Sequence, residues 1–212
     1  MEELHITVPR TARYHTLGDP TKAQAIWIVL HGYGHLARFF LNEFEGLEED
    51  KYIVAPEGLS RFYIDKAHTR VGATWMTRED RDNEMADQIT YLDQLAMHLR
   101  AHCPAKALIH CMGFSQGVAA ACRWAANGKT DIKRLVLWGG SMPPELDHEL
   151  LLDRWSDVHV DLVHGDADDV VPESVLLQSQ AKLRAGHVDF GTTIFSGGHA
   201  LEKITLHRMI TW

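Results

Sequence analysis

The pentapeptide Gly113-Phe114-Ser115-Gln116-Gly117 has the clearest chemical potential in the sequence. It directly follows an apolar run and precedes a run of small residues, so we predict a tight turn between a strand and a helix. A serine in such a turn projects its hydroxyl from the sheet edge, and the flanking glycines permit the close backbone approach. The pattern alone could arise by chance, but its placement makes Ser115 the candidate nucleophile.

A serine hydroxyl becomes reactive when a histidine accepts its proton and a carboxylate orients that histidine. The chain has 14 histidines, and His199 differs from most in following the last predicted strand at a Gly-Gly turn. The carboxylate is expected after the preceding strand, where three aspartates are crowded together: Asp166, Asp168 and Asp169. Any of them could face His199, and we favour Asp168.

Two backbone N–H groups could stabilise the negative charge that develops on a substrate carbonyl oxygen. One belongs to Gln116, which opens the predicted helix after Ser115, where the helix N-terminus adds partial positive charge. The second is expected in the segment HGYG after the strand Ala25–Leu30, and we assign it to Tyr33. The sequence therefore predicts an oxyanion hole formed by Tyr33 and Gln116.

The segment from Pro56 to Arg81 shows no convincing periodicity, and it is long for a loop inside one domain. It carries apolar side chains that a solvated linker would lack, so we expect it to fold over a pocket and to supply the substrate-binding residues Phe62, Tyr63, Trp75 and Met76.

Few features of the sequence favour a metal site or a cofactor. His31 with His35, and His98 with His102, have four-residue spacing, but neither pair carries the glutamate of a zinc-protease motif. The glycine patterns that bind dinucleotides or nucleoside phosphates do not occur. We therefore predict no metal site and no cofactor.

Strands alternating with helices predict an α/β fold with a mostly parallel central sheet, helices on both faces and no large lid domain. We expect an N-terminal hairpin from Leu4–Val8 and Ala12–Leu17, and a terminal helix from His199 to Ile210. Long helices are predicted over Asp82–Arg100 and Glu173–Ala185. A chain of 212 residues fits one domain spanning residues 1–212.

Composition narrows the possible partners. A net charge of -8 disfavours nucleic acid, and no apolar run approaches the roughly 20 residues of a membrane span. The three cysteines lie in or beside apolar segments and are expected to be free thiols, and the acidic N-terminus does not resemble an export signal. We expect a cytoplasmic protein that acts as a monomer or homodimer.

The segments HGYG, GFSQG, GDADDVVP and GGH, in this order, resemble the carboxylesterase, phospholipase and acyl-protein thioesterase family of small α/β-hydrolases. The likeness spans nearly the whole chain, and TARYHTLG is similar to a bacterial branch of hydrolases. The resemblance implies Ser115, Asp168 and His199 as the triad, with Asp168 selected by its spacing from Gly165, and Tyr33 with Gln116 as the oxyanion hole. At Trp75-Met76 the chain departs from better-known members, which tend to have Trp-Phe.

These features predict a serine hydrolase that cleaves small acyl esters, thioesters or lysophospholipids through an acyl-enzyme. An amidase or peptidase could use the same triad, although such enzymes need more binding architecture. A binding protein that has kept the fold without catalysis is the second alternative, and the presence of all three triad residues argues against it.

Overall fold

Nine strands occur in residues 1–211, the part of the chain that the computed structural model describes. They are β1 (Tyr14–Leu17), β2 (Ala25–Leu30), β3 (Lys51–Pro56), β4 (Ser60–Tyr63), β5 (Val71–Thr74), β6 (Leu108–Phe114), β7 (Ile132–Trp138), β8 (His159–Gly165) and β9 (Phe190–Phe195). Seven strands form the central sheet in the order β1-β3-β2-β6-β7-β8-β9, and β4 pairs with β5 in a separate hairpin. Within the seven-stranded sheet only β1 runs antiparallel to its neighbour, so the predicted mostly parallel sheet is confirmed.

The same residues form six α-helices, which cover both faces of the sheet. They are α1 (Ala37–Leu41), α2 (Arg81–Arg100), α3 (Gln116–Asn127), α4 (His148–Trp155), α5 (Glu173–Ala185) and α6 (Lys203–Thr211). One core layer holds side chains of α2, α3, α4 and α5, and the other holds those of α1 and α6. Alternate residues of β2 enter the two layers, with Ile28 in the first and Trp27 in the second. This explains why the strand is apolar throughout.

The predicted N-terminal hairpin is wrong. Residues 4–8 form no strand, and β1 pairs instead with β3, where Tyr14 lies opposite Pro56. The alternating apolar residues Leu4, Ile6 and Val8 remain exposed. Pairing with β3 lets β1 extend the large sheet, whereas an isolated two-stranded hairpin is marginally stable.

Three further features differ from the sequence-based expectation. The segment 56–81 is not without regular structure, because β4 and β5 pair across it with Phe62 opposite Gly72. Helix α4 was not expected, although Asp147 caps it by accepting a hydrogen bond from the Leu150 N–H. Helix α6 begins at Lys203 rather than at His199, which leaves His199 in a loop.

The strand ends determine where the candidate residues meet. Ser115 follows β6, Asp168 and His199 follow β8 and β9, and Tyr33 follows β2. Because these four strands run parallel, all four residues lie at the same edge of the sheet. None of the helices described in residues 1–211 is long and apolar enough to cross a bilayer.

Candidate active site

Ser115 has an unusual backbone conformation at the turn between β6 and α3. Its φ of 55° and ψ of -118° lie in a region that residues with side chains rarely adopt. Both flanking glycines are required, because a Cβ on Gly113 would lie 2.3 Å from the Gly117 carbonyl oxygen, and one on Gly117 would lie 2.2 Å from the Leu30 oxygen. The Ser115 N–H also donates to the Trp138 carbonyl at 2.9 Å. The tight turn is therefore held by close packing on both sides.

The imidazole of His199 lies between Ser115 and Asp168. Its Nε2 is 2.9 Å from Ser115 Oγ, and its Nδ1 is 2.7 Å from Asp168 Oδ2. With the proton on Nδ1, the ring donates to the carboxylate and accepts from the serine hydroxyl. This is the arrangement in which a histidine can remove the hydroxyl proton.

Asp168 is the aspartate that reaches His199. Its carboxylate is almost fully buried, and Oδ1 accepts hydrogen bonds from the N–H groups of Val170 at 2.9 Å and Val171 at 2.8 Å. Burial opposes ionisation, but these bonds and the one from His199 hold the pKa of Asp168 below its ordinary value. Asp166 instead accepts from the Gly197 N–H, and Asp169 is exposed. The sequence left three aspartates as possible partners of His199, and the structure brings Asp168 into contact with it.

Neighbouring aromatic rings support the loop that carries His199. Trp138 donates its indole N–H to the Ala200 carbonyl at 3.0 Å, and the ring of Phe114 lies 5.0 Å from that of His199. These contacts limit rotation of the imidazole, whose side chain is only 15% exposed. No local sequence pattern indicates this role of Trp138, because its partner is 62 residues away along the chain.

The two backbone N–H groups predicted to form an oxyanion hole flank Ser115. Gly32, next to Tyr33, packs so closely that a Cβ there would be 3.3 Å from Ser115 Cβ. Gln116 is the first residue of α3, where the N–H has no intrahelical acceptor. Within residues 1–211 neither the Tyr33 nor the Gln116 N–H donates to another group. Both N–H groups are therefore free to donate to a ligand oxygen.

His31 is a functional candidate that the sequence reading missed. It is fully buried; its Nδ1 is 2.8 Å from the Gly32 carbonyl, and its Nε2 accepts from the Gly58 N–H at 3.0 Å. Burial lowers the pKa of His31 to about 4, so the ring is neutral at ordinary pH. The ring thus connects the loop that carries Tyr33 to the segment after β3. The position of His31 at the start of the segment HGYG was the sequence feature that could have indicated this role.

The four residues predicted to bind substrate occupy different environments. Phe62 is half-buried and packs on the Tyr33 ring at 5.0 Å, while Tyr63 is exposed and packs on His68. Met76 is half-buried, with its sulfur 3.2 Å from an Arg123 nitrogen. Trp75 is 4% exposed and donates its indole N–H to the His31 carbonyl at 2.8 Å. This burial leaves Trp75 almost no surface for a substrate, which corrects its predicted role to one of supporting the loop.

A possible metal-binding group and a surface groove lie away from these residues. Within residues 1–211 one group could present three ligand atoms to a metal ion, namely the exposed Glu3, His5 and Asp80, and none belongs to the Ser115 centre. A groove of about 730 Å³ lies between α2 and residues 127–131, beside Asp93 and Met97, and it includes none of the predicted site residues.

Comparisons with known proteins identify a matching family and solved structures with a similar fold. The family model described as Phospholipase/Carboxylesterase matches residues 18–212. Among solved structures, the chain is similar to Zea mays acyl-protein thioesterase 2 (22% identity, TM-score 0.72, 95% of this chain and 97% of that one). It is also similar to esterase PE8, with 23% identity and a TM-score of 0.69 over 95% of this chain and 97% of that one. The Bacillus cereus carboxylesterase has 14% identity and a TM-score of 0.70 over 95% of this chain and 92% of that one. No curated protein matches the sequence significantly.

These structural likenesses show the α/β-hydrolase fold. The family model spans most of the sequence and includes all of the candidate residues from Tyr33 to His199. The chain therefore belongs to the phospholipase/carboxylesterase family of α/β-hydrolases.

Proposed function

We propose that this hydrolase cleaves carboxylic esters or thioesters through an acyl-enzyme, with Ser115 as nucleophile, His199 as general base and Asp168 as the residue that orients it. The observation that carries the proposal is the pair of contacts made by one imidazole, 2.9 Å to Ser115 Oγ and 2.7 Å to Asp168 Oδ2. A nucleophile, a base and an orienting carboxylate in contact are the minimum that serine catalysis needs.

The reaction proceeds in two steps. Ser115 Oγ attacks the substrate carbonyl carbon while His199 Nε2 takes the hydroxyl proton, and the N–H groups of Tyr33 and Gln116 bind the oxyanion. When the tetrahedral intermediate collapses, His199 returns the proton to the leaving alcohol or thiol, and the acyl group stays on Ser115. Water, deprotonated by His199, then attacks the acyl-enzyme and releases the carboxylic acid and free Ser115.

The substrate class rests on family membership and on the loops near the site. Similar structures include an acyl-protein thioesterase, an esterase and a carboxylesterase, so esters and thioesters are both proposed as substrates. The Tyr33 and Phe62 rings and Met76 offer apolar contacts for an acyl or leaving group. The free cysteines, of which Cys111 and Cys122 are buried, fit a reducing compartment, and we propose a cytoplasmic enzyme with one domain.

Hydrolysis of a panel of substrates tests this function. The panel comprises nitrophenyl esters of increasing chain length, a thioester, a lysophospholipid and a matched anilide. The wild type should hydrolyse the esters or the thioester, and Ser115→Ala should lower kcat/KM by at least about 10³-fold. Faster cleavage of the anilide than of the esters, or undiminished activity of Ser115→Ala, would contradict the proposal.

A further inference from the structure

The segment Ala73–Met76, at the end of β5, is hydrogen-bonded to residues on either side of Tyr33 and to the side chain of Gln116. Thr74 and Trp75 are only 3% and 4% exposed, so their hydrogen bonds are protected from water. Sequence reasoning placed this segment over a pocket, but the contacts of its backbone point to a different role.

On one side, the segment holds the loop that carries Tyr33. The Gly34 N–H donates to the Ala73 carbonyl at 2.9 Å, and the Ala73 N–H donates to the His35 carbonyl at 3.2 Å. Trp75 adds its indole bond of 2.8 Å to the His31 carbonyl. Tyr33 is therefore bracketed, before and after, by residues that are bonded to Ala73 or Trp75.

On the other side, the segment binds the side-chain amide of Gln116. Nε2 donates to Thr74 Oγ1 at 2.9 Å and to the Met76 carbonyl at 3.0 Å, and Oε1 accepts from the Trp75 N–H at 3.1 Å. A flipped amide would place its oxygen against the Met76 carbonyl and its NH₂ against the Trp75 N–H. The network thus fixes one orientation of the amide.

We propose that the side chain of Gln116 is a positioning group, which sets the separation of the Tyr33 and Gln116 N–H donors through Ala73–Met76. The inference rests on the proposed function, because it concerns the oxyanion hole of that reaction. The Gln116 backbone binds the oxyanion, whereas its side chain acts through the segment and does not touch substrate.

The expected effect follows from the geometry of oxyanion stabilisation. Donors must lie about 2.7–3.1 Å from the oxyanion, and a misplacement near 1 Å can cost about 100-fold in rate. Because the charge exists only in the transition state and the tetrahedral adduct, displaced donors should lower kcat more than they alter KM.

The test compares Gln116→Ala and Thr74→Val with the wild type, by steady-state kinetics and by the affinity for a trifluoromethyl ketone, which forms a tetrahedral oxyanion adduct with a reactive serine. Both variants should lower kcat about 10- to 100-fold with KM changed less than about threefold. The ketone affinity should fall by the same factor as kcat. Thr74→Ser keeps the hydroxyl and should restore kcat to within about threefold of the wild type.

The matched control is Gln88→Ala. Gln88 is also buried and donates its amide to an α3 residue, the Ala120 carbonyl at 3.3 Å, but it contacts neither oxyanion donor. Its replacement should destabilise the fold while leaving kcat and ketone affinity within about twofold. Circular dichroism shows which variants are folded, and Thr74→Val provides the milder second route if Gln116→Ala does not fold.

The outcomes separate this inference from the proposed function. If the wild type is active but Gln116→Ala and Thr74→Val change kcat and ketone affinity no more than Gln88→Ala does, the positioning role is wrong and the proposed function stands. A rise in KM alone would also overturn it, because that would make the segment a substrate contact. A wild type that neither hydrolyses esters nor binds the ketone would overturn the proposed function, and the inference with it.

Discussion

In the proposed mechanism, the charge state of Asp168 governs how His199 acts. The carboxylate is buried, ionised and held by the Val170 and Val171 N–H groups, so it accepts the Nδ1 proton of His199 in a fixed direction. This leaves Nε2 free to take the Ser115 proton. A neutral amide at position 168 would keep the shape of the site but could donate to Nδ1 and so favour the wrong tautomer.

We therefore expect Asp168→Asn to lower kcat about 10³- to 10⁴-fold with little loss of stability. Steady-state kinetics on a nitrophenyl ester measures the change. The control is Asp169→Asn, which makes the same substitution one residue along at an exposed side chain and should stay within about twofold. Similar losses in the two variants would mean that Asp168 does not orient His199.

Among the elements, the loop after β2 combines a backbone role with a side-chain role. The Tyr33 N–H is the proposed donor, whereas its ring is more than half exposed and packs on Phe62 of β4. The two roles can be separated, because proline removes the N–H and alanine removes only the ring. Gly32 precedes this position, and glycine tolerates the restriction that a following proline imposes.

We expect Tyr33→Pro to lower kcat about 10²- to 10³-fold, since one oxyanion donor is lost. Tyr33→Ala should act mainly on KM and lower kcat less than about tenfold, because its N–H remains. The measurement is a full kinetic comparison of both variants on one ester. Equal losses of kcat in the two variants would assign the effect to the ring and remove Tyr33 N–H from the mechanism.

The elements that were predicted correctly from the sequence are those with long, regular patterns. Helix α5 has its predicted bounds of Glu173–Ala185, and α2 differs from its prediction by one residue. The hairpin of β4 and β5 was missed because its four-residue strands carry no alternation strong enough to detect. The partner of β1 was predicted wrongly because strand pairing is decided by distant residues, here those of β3.

The candidate catalytic residues were easier to predict from the sequence than the residues that hold them in place. Ser115, Asp168 and His199 each follow a strand within a short motif, and the structure brings them together although Ser115 and His199 are 84 residues apart. The supporting contacts of His31, Trp138 and the Gln116 side chain depend on three-dimensional packing that no local motif encodes. Trp75 was assigned to substrate binding because burial cannot be read from an aromatic residue in a loop.

For the molecule as a whole, folding places two histidines, the buried His31 and the half-buried His110, in surroundings that favour the neutral ring. Burial lowers the pKa of His31 to about 4 and, with the nearby Arg134 guanidinium, lowers the pKa of His110 to about 4. In the unfolded chain these rings have pKa values of about 6.5. Below pH 6.5 the unfolded state therefore binds more protons than the folded state, and the stability present above that pH is lost as the pH falls toward 4.

We predict that the free energy of unfolding decreases between pH 6.5 and 4, and that His110→Leu reduces this decrease. His110 Nδ1 is buried without a hydrogen-bond partner in the described residues, so leucine removes both the proton uptake and an unsatisfied polar group. Urea unfolding measures the free energy of unfolding of the variant and of the wild type at each pH. The difference between them should favour the variant by about 1–2 kcal/mol more at pH 5 than at pH 8. The exposed His148→Leu is the control, and equal pH dependence in both variants would contradict the account.

The central claim is that Ser115 carries the acyl group during turnover. Rapid acid quenching of the enzyme with a slowly hydrolysed ester, followed by peptide mass spectrometry, tests it most directly. We predict that one acyl group appears on the peptide containing Ser115, forms as fast as the alcohol is released, and is absent from Ser115→Ala. Ester hydrolysis without any adduct on Ser115, or with the acyl group on another residue, would contradict the mechanism.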